Sequence, residues 1–247
     1  MTKSKIHTII ASIGVACTAL ILITAVMYGY MMSSKESCQS VEFIIKDADK
    51  RMYVTESELT QLLVQKGIYP ATKNIDSIGL YRIESAIQNH PMVQTAECYL
   101  TAYNELRVAL TQREPLLRVQ TATETYFIDS NRRKMPMREE IKDKVLVVTG
   151  EITEQLAASE LADFALWLQD SKYWRERVKY VHMHTTKMMH IYLQDEKQPR
   201  IIMGELRGYE RKLTKLRTFF ENGKTAVGDK IYNELDVRFN GQVIGRY

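Results

Sequence analysis

Few of the residues that specify covalently stapled or cofactor-built proteins occur in this chain. Its 247 residues include three cysteines, two tryptophans and five prolines. Three thiols make no disulfide framework: Cys17 lies in an apolar tract, Cys38 beside it, and Cys98 in a predicted strand. A Cys38–Cys98 bridge stays open in an oxidising compartment, because sequence does not give the distance such a bond needs. Catalytic patterns are missing as well. No H-E-x-x-H, G-x-S-x-G or S-x-x-K occurs, so metalloprotease, α/β-hydrolase and penicillin-binding chemistry lack their usual ligands or nucleophiles. Nor does one sign of charge dominate: 34 Lys+Arg face 30 Asp+Glu, and beyond Lys3 and Lys5 the two are nearly balanced. That balance argues against nucleic acid as a partner. A hydrophobic share of 45% with 26% charged residues is that of a globular chain and does not indicate disorder.

What the chain does have is one long apolar run. Ile6 to Ser34 contains no Asp, Glu, Lys or Arg. As a helix, its most apolar part, Ile9 to Met32, covers roughly 36 Å, against a hydrocarbon core of about 30 Å. One membrane span follows, with Tyr28 and Tyr30 at headgroup depth. Lys3 and Lys5 precede it, while Lys35 and Glu36 cancel beyond it, so the positive-inside bias keeps the N-terminus cytoplasmic. A cleaved signal peptide would need a shorter apolar region and an A-x-A-like site. The apolar run also continues well past Cys17, against a lipoprotein cleavage box.

About 210 residues remain for one large or two small domains. Val41, Phe43 and Ile45 alternate with polar residues as a strand does. Thr55 and Glu58 form a capping box, Leu59, Leu62 and Leu63 follow at helical spacing, and Gly67 stops the helix. Asp76 or Ser77 caps a second helix bearing Leu80, Ile83, Ala86 and Ile87, which must end near Asn89 because His90 precedes Pro91. Val93 to Ala102 and Glu105 to Arg113 then read as a hairpin turning at Tyr103-Asn104, with Leu106, Val108 and Leu110 on one face. Strand, helix, helix, strand, strand makes a compact α+β module with both helices on one face of a three-stranded sheet.

Short strands at Leu117–Val119, Thr125–Ile128 and Val145–Val148 follow, with a polar turn over Asn131–Lys134. Thr153–Asp170 has helical period, then come strands over Val178–His184, Met188–Gln194 and Ile201–Met203. In the amphipathic helix Gly208–Asn222, Leu213, Leu216, Phe219 and Phe220 are buried while Arg211, Lys212, Lys215 and Arg217 stay wet. Leu235, Val237 and Phe239 alternate with Asp236 and Arg238, and Asn240-Gly241 turns the chain back through Gln242 to Ile244. That hairpin is either a partner-accepting edge or an internal pair serving only the core.

Other chemistry is weak. His182 and His184 share a strand face with His190 nearby, but no Cys or carboxylate cluster completes a metal site, so no metal or cofactor is expected. Gly223-Lys224-Thr225 looks like the end of a phosphate loop, yet the leading position is Thr218 inside a helix, and Gly223 reads as a helix cap. Asp129 with Glu124, or Glu139 with Glu140, are polar-turn residues with no inferable apolar pocket to shift them.

The strand and helix order, then Gln112-Arg113-Glu114-Pro115-Leu116, resembles the POTRA module of the bacterial division family FtsQ/DivIB. Tyr126-Phe127-Ile128-Asp129, Met135-Pro136 and Val145 to Gly150 are similar to that family's aromatic-Ile-Asp, Met-Pro and Val-Thr-Gly signposts. The resemblance covers essentially the whole chain. It implies a cytoplasmic stub (1–8), a transmembrane helix (9–32), a linker (33–40), a POTRA-like domain (41–114) and a strand-rich β domain with two packing helices (115–247). It further implies a single-pass, non-enzymatic scaffold of the cytoplasmic (inner) membrane, with both domains periplasmic at the division septum. Such a scaffold holds FtsB-like and FtsL-like coiled-coil proteins, influences septal peptidoglycan synthesis, and needs no small-molecule substrate. The implied partner surface is Leu235, Val237, Phe239, Asn240, Gly241, Gln242 and Val243, with the helix containing Arg217 beside it. Many relatives carry a Trp before the last strands where this chain has Gly228-Asp229-Lys230, so an aromatic anchor is either missing or supplied by Tyr232. The competing readings are a membrane-anchored enzyme acting on the cell wall and a POTRA-type protein-transport module.

Overall fold

The computed structural model describes residues 3–33, 36–185, 187–195, 197–223 and 232–247. Ser34, Lys35, Lys224, Thr225 and the Gly228-Asp229-Lys230 stretch lie outside them. The chain divides into two compact units: Met1–Lys50 with Val54–Thr111, and Arg51–Tyr53 with Gln112–Tyr247.

In the first unit α1 spans Lys3–Ser33. Its stretch Ile13–Met31 has mean hydropathy 1.9, buries none of itself, and is long and apolar enough to cross a membrane. The weakly polar side chains there are satisfied within the helix: the Thr18 and Thr24 hydroxyls donate to the carbonyls of Val15 and Ile21, each at 2.9 Å. Strand β1 (Val41–Ile45) leads to α2 (Glu56–Gln65), where the Thr55 hydroxyl accepts from Glu58 N at 3.3 Å and Gly67 follows the C-cap at φ +66°. Helix α3 covers Leu80–Gln88 and ends at Asn89. Its start corrects the sequence reading. Asp76 and Ser77 are taken up in a 3-10 turn, Ile75–Ser77, capped by Asn74, whose side chain accepts from Asp76 N at 2.9 Å. Strands β2 (Val93–Leu100) and β3 (Leu106–Gln112) complete a sheet ordered β1-β3-β2, with β1 parallel to β3 from Val41–Leu106 to Ile45–Leu110. Asn104 makes the turn at φ +61°. Central β3 is buried on both faces, and α2 and α3 bury Leu59, Leu63, Ile83 and Ile87.

The second unit is built on a nine-stranded mixed sheet. In chain order it contains β4 (Pro115–Gln120), β5 (Thr125–Asp129), β6 (Lys134–Pro136), β7 (Leu146–Gly150), β8 (Val178–Thr185), β9 (Met188–Leu193), β10 (Arg200–Gly204), β11 (Glu234–Asp236) and β12 (Ile244–Arg246). The spatial order is β12-β11-β10-β9-β8-β7-β4-β5-β6. Strand β6 begins at Lys134, the last residue of the expected turn, and is not legible in the sequence, because a three-residue edge strand is too short to show alternation. Between β7 and β8 one helical run comprises α4 (Glu154–Leu156), a π turn at Ala157–Leu161 and α5 (Ala162–Asp170). Helix α6 (Tyr209–Thr218) continues into a second π turn, Phe219–Gly223.

Register explains which face the helices cover. Val148, Val181, Ile191, Ile201 and Leu235 form one row across five strands, and all belong to the core with Leu161, Phe164, Leu168, Leu213 and Leu216. Tyr209 of α6 lies edge-on to Phe164 and Trp167 of α5, at centroid distances of 5.2 and 5.4 Å, tying the two helices together. The neighbouring row, Thr149, His182, His190, Ile202 and Asp236, faces the other way.

Candidate partner-docking edge

Strand β12 ends the sheet, and no described strand lies beyond it. Its register with β11 is antiparallel: Glu234–Arg246, Leu235–Gly245, Asp236–Ile244. On the other side of β11, Arg200 N donates to Asn233 O and Val237 N to Ile202 O. The main chain of Leu235 and Val237 therefore turns to β10, and that of Glu234 and Asp236 to β12. By the same alternation, Ile244 and Arg246 turn inward, and Gly245 presents its N–H and C=O to the open side. A side chain at Gly245 would run into the Tyr232 ring, which fills its place on the core side. Tyr232 in turn lies 5.1 Å from the exposed Tyr247 ring. An aromatic over an edge glycine restores the packing that the glycine lacks.

Polar contacts fix this edge on the outer face. Asp236 is fully buried, and its carboxylate accepts from Arg238 N at 3.1 Å, Arg238 Nε at 2.9 Å and Nη2 at 2.6 Å, with Arg246 Nη2 at 3.5 Å. Burial alone would raise the Asp236 pKa, but the hydrogen bonds and charge of Arg238, with Arg246, outweigh it and lower it. Glu234 extends the ladder, paired with Arg200 and 3.8 Å from Arg246. From behind, the Lys215 amine donates to the carbonyl of Val237 at 3.0 Å and to that of Phe239. Burial lowers the Lys215 pKa, with Arg211 adding to the shift.

Several sequence expectations need correction here. The alternation through Phe239 fails: β11 stops at Asp236, which is buried together with Val237, because Arg238 and Arg246 neutralise it. Asn240-Gly241 makes no tight hairpin but lies in the longer loop Val237–Val243, with Gly241 at φ +75°. Leu235 and Val237, 1% and 0% exposed, have their side chains in the core rather than on the surface. Phe239, at 45%, with Asn240, Gly241 and Gln242, is exposed, while Val243 and Tyr232 are half-buried. Lys212 and Lys215 are half-buried carbonyl ligands rather than wet residues; Lys212 Nζ reaches Met203 O at 3.1 Å. Arg217 stands apart. It pairs with Glu221 at 2.8 Å and lies 4.9 Å over the Tyr173 ring, on a different flank of α6 from Lys215. Sequence reasoning missed Lys215, Gly245 and Arg246; only the Gly in a short alternating run signalled an edge.

The residues tested for chemistry are occupied structurally. Asp129, 1% exposed, meets Arg113 at 2.7 Å and accepts from Arg133 N at 2.7 Å, while Glu124 pairs with Lys134 at 2.9 Å. His184 Nε2 and His190 Nδ1 are 3.0 Å apart, and His182 Nδ1 lies 2.8 Å from the Thr149 hydroxyl. Burial, then His184, pushes the His190 pKa down to about 4. Among the described residues no group of His, Cys, Asp and Glu is arranged to hold a metal ion. All three cysteines are free; burial, then Glu84, raises the Cys98 thiol to about 12.

The sequence signposts have architectural reasons. Arg113 and Asp129 form a buried ion pair, Met135 is fully buried, and Gly150 sits at φ +106° where a side chain would strike Met183 O. These features define a protein with one described helix long and apolar enough to cross a membrane, a small βααββ unit and a strand-rich unit ending in an open sheet edge. A family model described as "FtsQ/DivIB, C-terminal related" matches residues 114–246, and one described as "POTRA-like domain" matches residues 36–111. The chain belongs to the FtsQ/DivIB family, a family of non-enzymatic division scaffolds, and has a role in cell division as part of the divisome. No curated protein matches it.

Proposed function

We propose that this chain recruits FtsB-like and FtsL-like coiled-coil partners at the septum and through them influences septal peptidoglycan synthesis. The partner adds a strand to β12, taking the main-chain groups of Gly245, and its side chains pack on Phe239 and the Asn240–Val243 stretch. The observation carrying this reading is the open side of β12, held in place by the Asp236 ladder and the Lys215 clamp. Tyr232 supports that surface by covering Gly245. Arg217, on another flank of α6, is left outside it. Lys3 and Lys5 orient the anchor with the N-terminus in the cytoplasm and both units outside it.

Phe239→Lys places a charge on an exposed side chain, so the fold persists while the apolar contact is lost. In a pull-down with the FtsB-like protein of the same organism, partner recovery falls severalfold and the circular dichroism spectrum stays unchanged. Full recovery would sink this placement of the surface.

A further inference from the structure

A second feature of the strand-rich unit lies far along the sheet order from β12. Strands β7 and β8 run parallel, but their ladder covers only Val148–Gly150 and Val181–Met183. The earlier residues, Leu146 and Val147 on one side and Val178 to Tyr180 on the other, precede that ladder. Each strand is held on its outer flank: Leu146 pairs with Leu117 of β4, and Val178 with Leu193 of β9. A register shift between Val178 and Tyr180 in the β8–β9 pair bends β8 there. The sheet is thereby split at the starts of two adjacent strands.

A cavity of about 850 Å³ opens at the split. Its apolar lining includes Phe127, Leu146, Leu168 and Val178. Among the described residues, Arg118, Lys142, Lys144, Arg175 and Lys179 line it together with the acidic Asp143 and Glu176. Both acids are engaged: Asp143 accepts from the Tyr53 hydroxyl, and Glu176 lies 3.8 Å from Arg175. Lys142 and Lys144 are exposed and take part in no ion pair among the described residues. Arg118 Nε is buried on the wall of the cavity without a hydrogen-bond partner.

We infer that this split docks an extended acidic peptide segment, a contact surface separate from β12. An extended segment entering between the starts of β7 and β8 presents its side chains alternately to the two walls of the cavity. Apolar residues on one side reach Leu146, Leu168 and Val178, and carboxylates on the other meet Lys142, Lys144 and Arg118. A flat bilayer surface reaches the lysines but not the apolar floor of a cleft, so the concavity favours a peptide.

The test uses the full chain in nanodiscs of uncharged phosphatidylcholine. The probes are a fluorescein-labelled ten-residue peptide alternating Glu and Val, and the same peptide with Lys for Glu, followed by anisotropy. Saturable binding of the Glu peptide only is expected, at least tenfold weaker in Lys142→Glu/Lys144→Glu and unchanged in Phe239→Lys. The charge-reversed loop residues are exposed, so gel filtration should show an unaltered chain. Equal binding of the two peptides, no saturable binding, or indifference to the charge reversal overturns the inference. If phosphatidylglycerol in the nanodisc abolishes binding of the Glu peptide, the rim serves a membrane surface and the inference also fails.

Discussion

Asp129→Ala leaves the Arg113 guanidinium uncompensated in a site where it is 7% exposed, a loss of about 3–5 kcal/mol. Urea unfolding should show a lower midpoint, whereas an unchanged one would mean that Arg113 finds water or another acceptor. His190 gives a pH dependence with a definite sign. Its folded pKa is lowered from 6.5 to about 4 by burial, His184 and Arg200, partly opposed by Glu234. Above pH 6.5 the ring is neutral in both states; as pH falls from there towards about 4 the unfolded chain takes up the proton first, and stability is lost by up to roughly 3 kcal/mol. Unfolding midpoints at pH 7.5 and 5 should differ accordingly, and His190→Gln should reduce the difference; equal wild-type midpoints would contradict this. Asp129 and Gly150 were legible as signposts, but their reasons were not, since Arg113 and Met183 O reach them only through the folded sheet. Asp236 misled for the same reason: alternation assigns it to solvent, and the arginines that make its burial tolerable meet it only across β11 and β12.

Elements whose determinants lie within a few residues were the readable ones. Helix α2 is delimited by Thr55 and Gly67, and β3 shows its period directly. The start of α3 was not readable, because Asn74, Asp76 and Ser77 form a 3-10 turn with the same residue types that cap a helix. The Asn240-Gly241 dipeptide suits a tight turn, yet Lys215 holds the carbonyls of Val237 and Phe239 and keeps the loop wide. Lys215→Met should remove those bonds, worth about 1.5–3 kcal/mol for a charged donor. Hydrogen exchange then quickens in β11, β12 and the loop between them, while β8 and β9 stay protected. Exchange unchanged at β12 would show that the Asp236 ladder alone fixes the edge.

At the scale of the whole molecule, one apolar helix, a POTRA-like unit and a strand-rich unit with an open edge are what a tethered binding scaffold needs. The apolar tract and the order of strands and helices were visible in sequence because hydrophobic period is written locally. Which strand becomes the edge was not, since the spatial order β12-β11-β10 joins a parallel and an antiparallel pair through long connections. An unrelated span substituted for α1 should still support recruitment if the helix is only an anchor; its loss would mean that α1 itself meets a partner. The central claim, an anchored division scaffold, is tested most directly by imaging a fluorescent fusion of the full chain in dividing cells. The account predicts enrichment at the septum, and uniform signal around the envelope throughout constriction would contradict it.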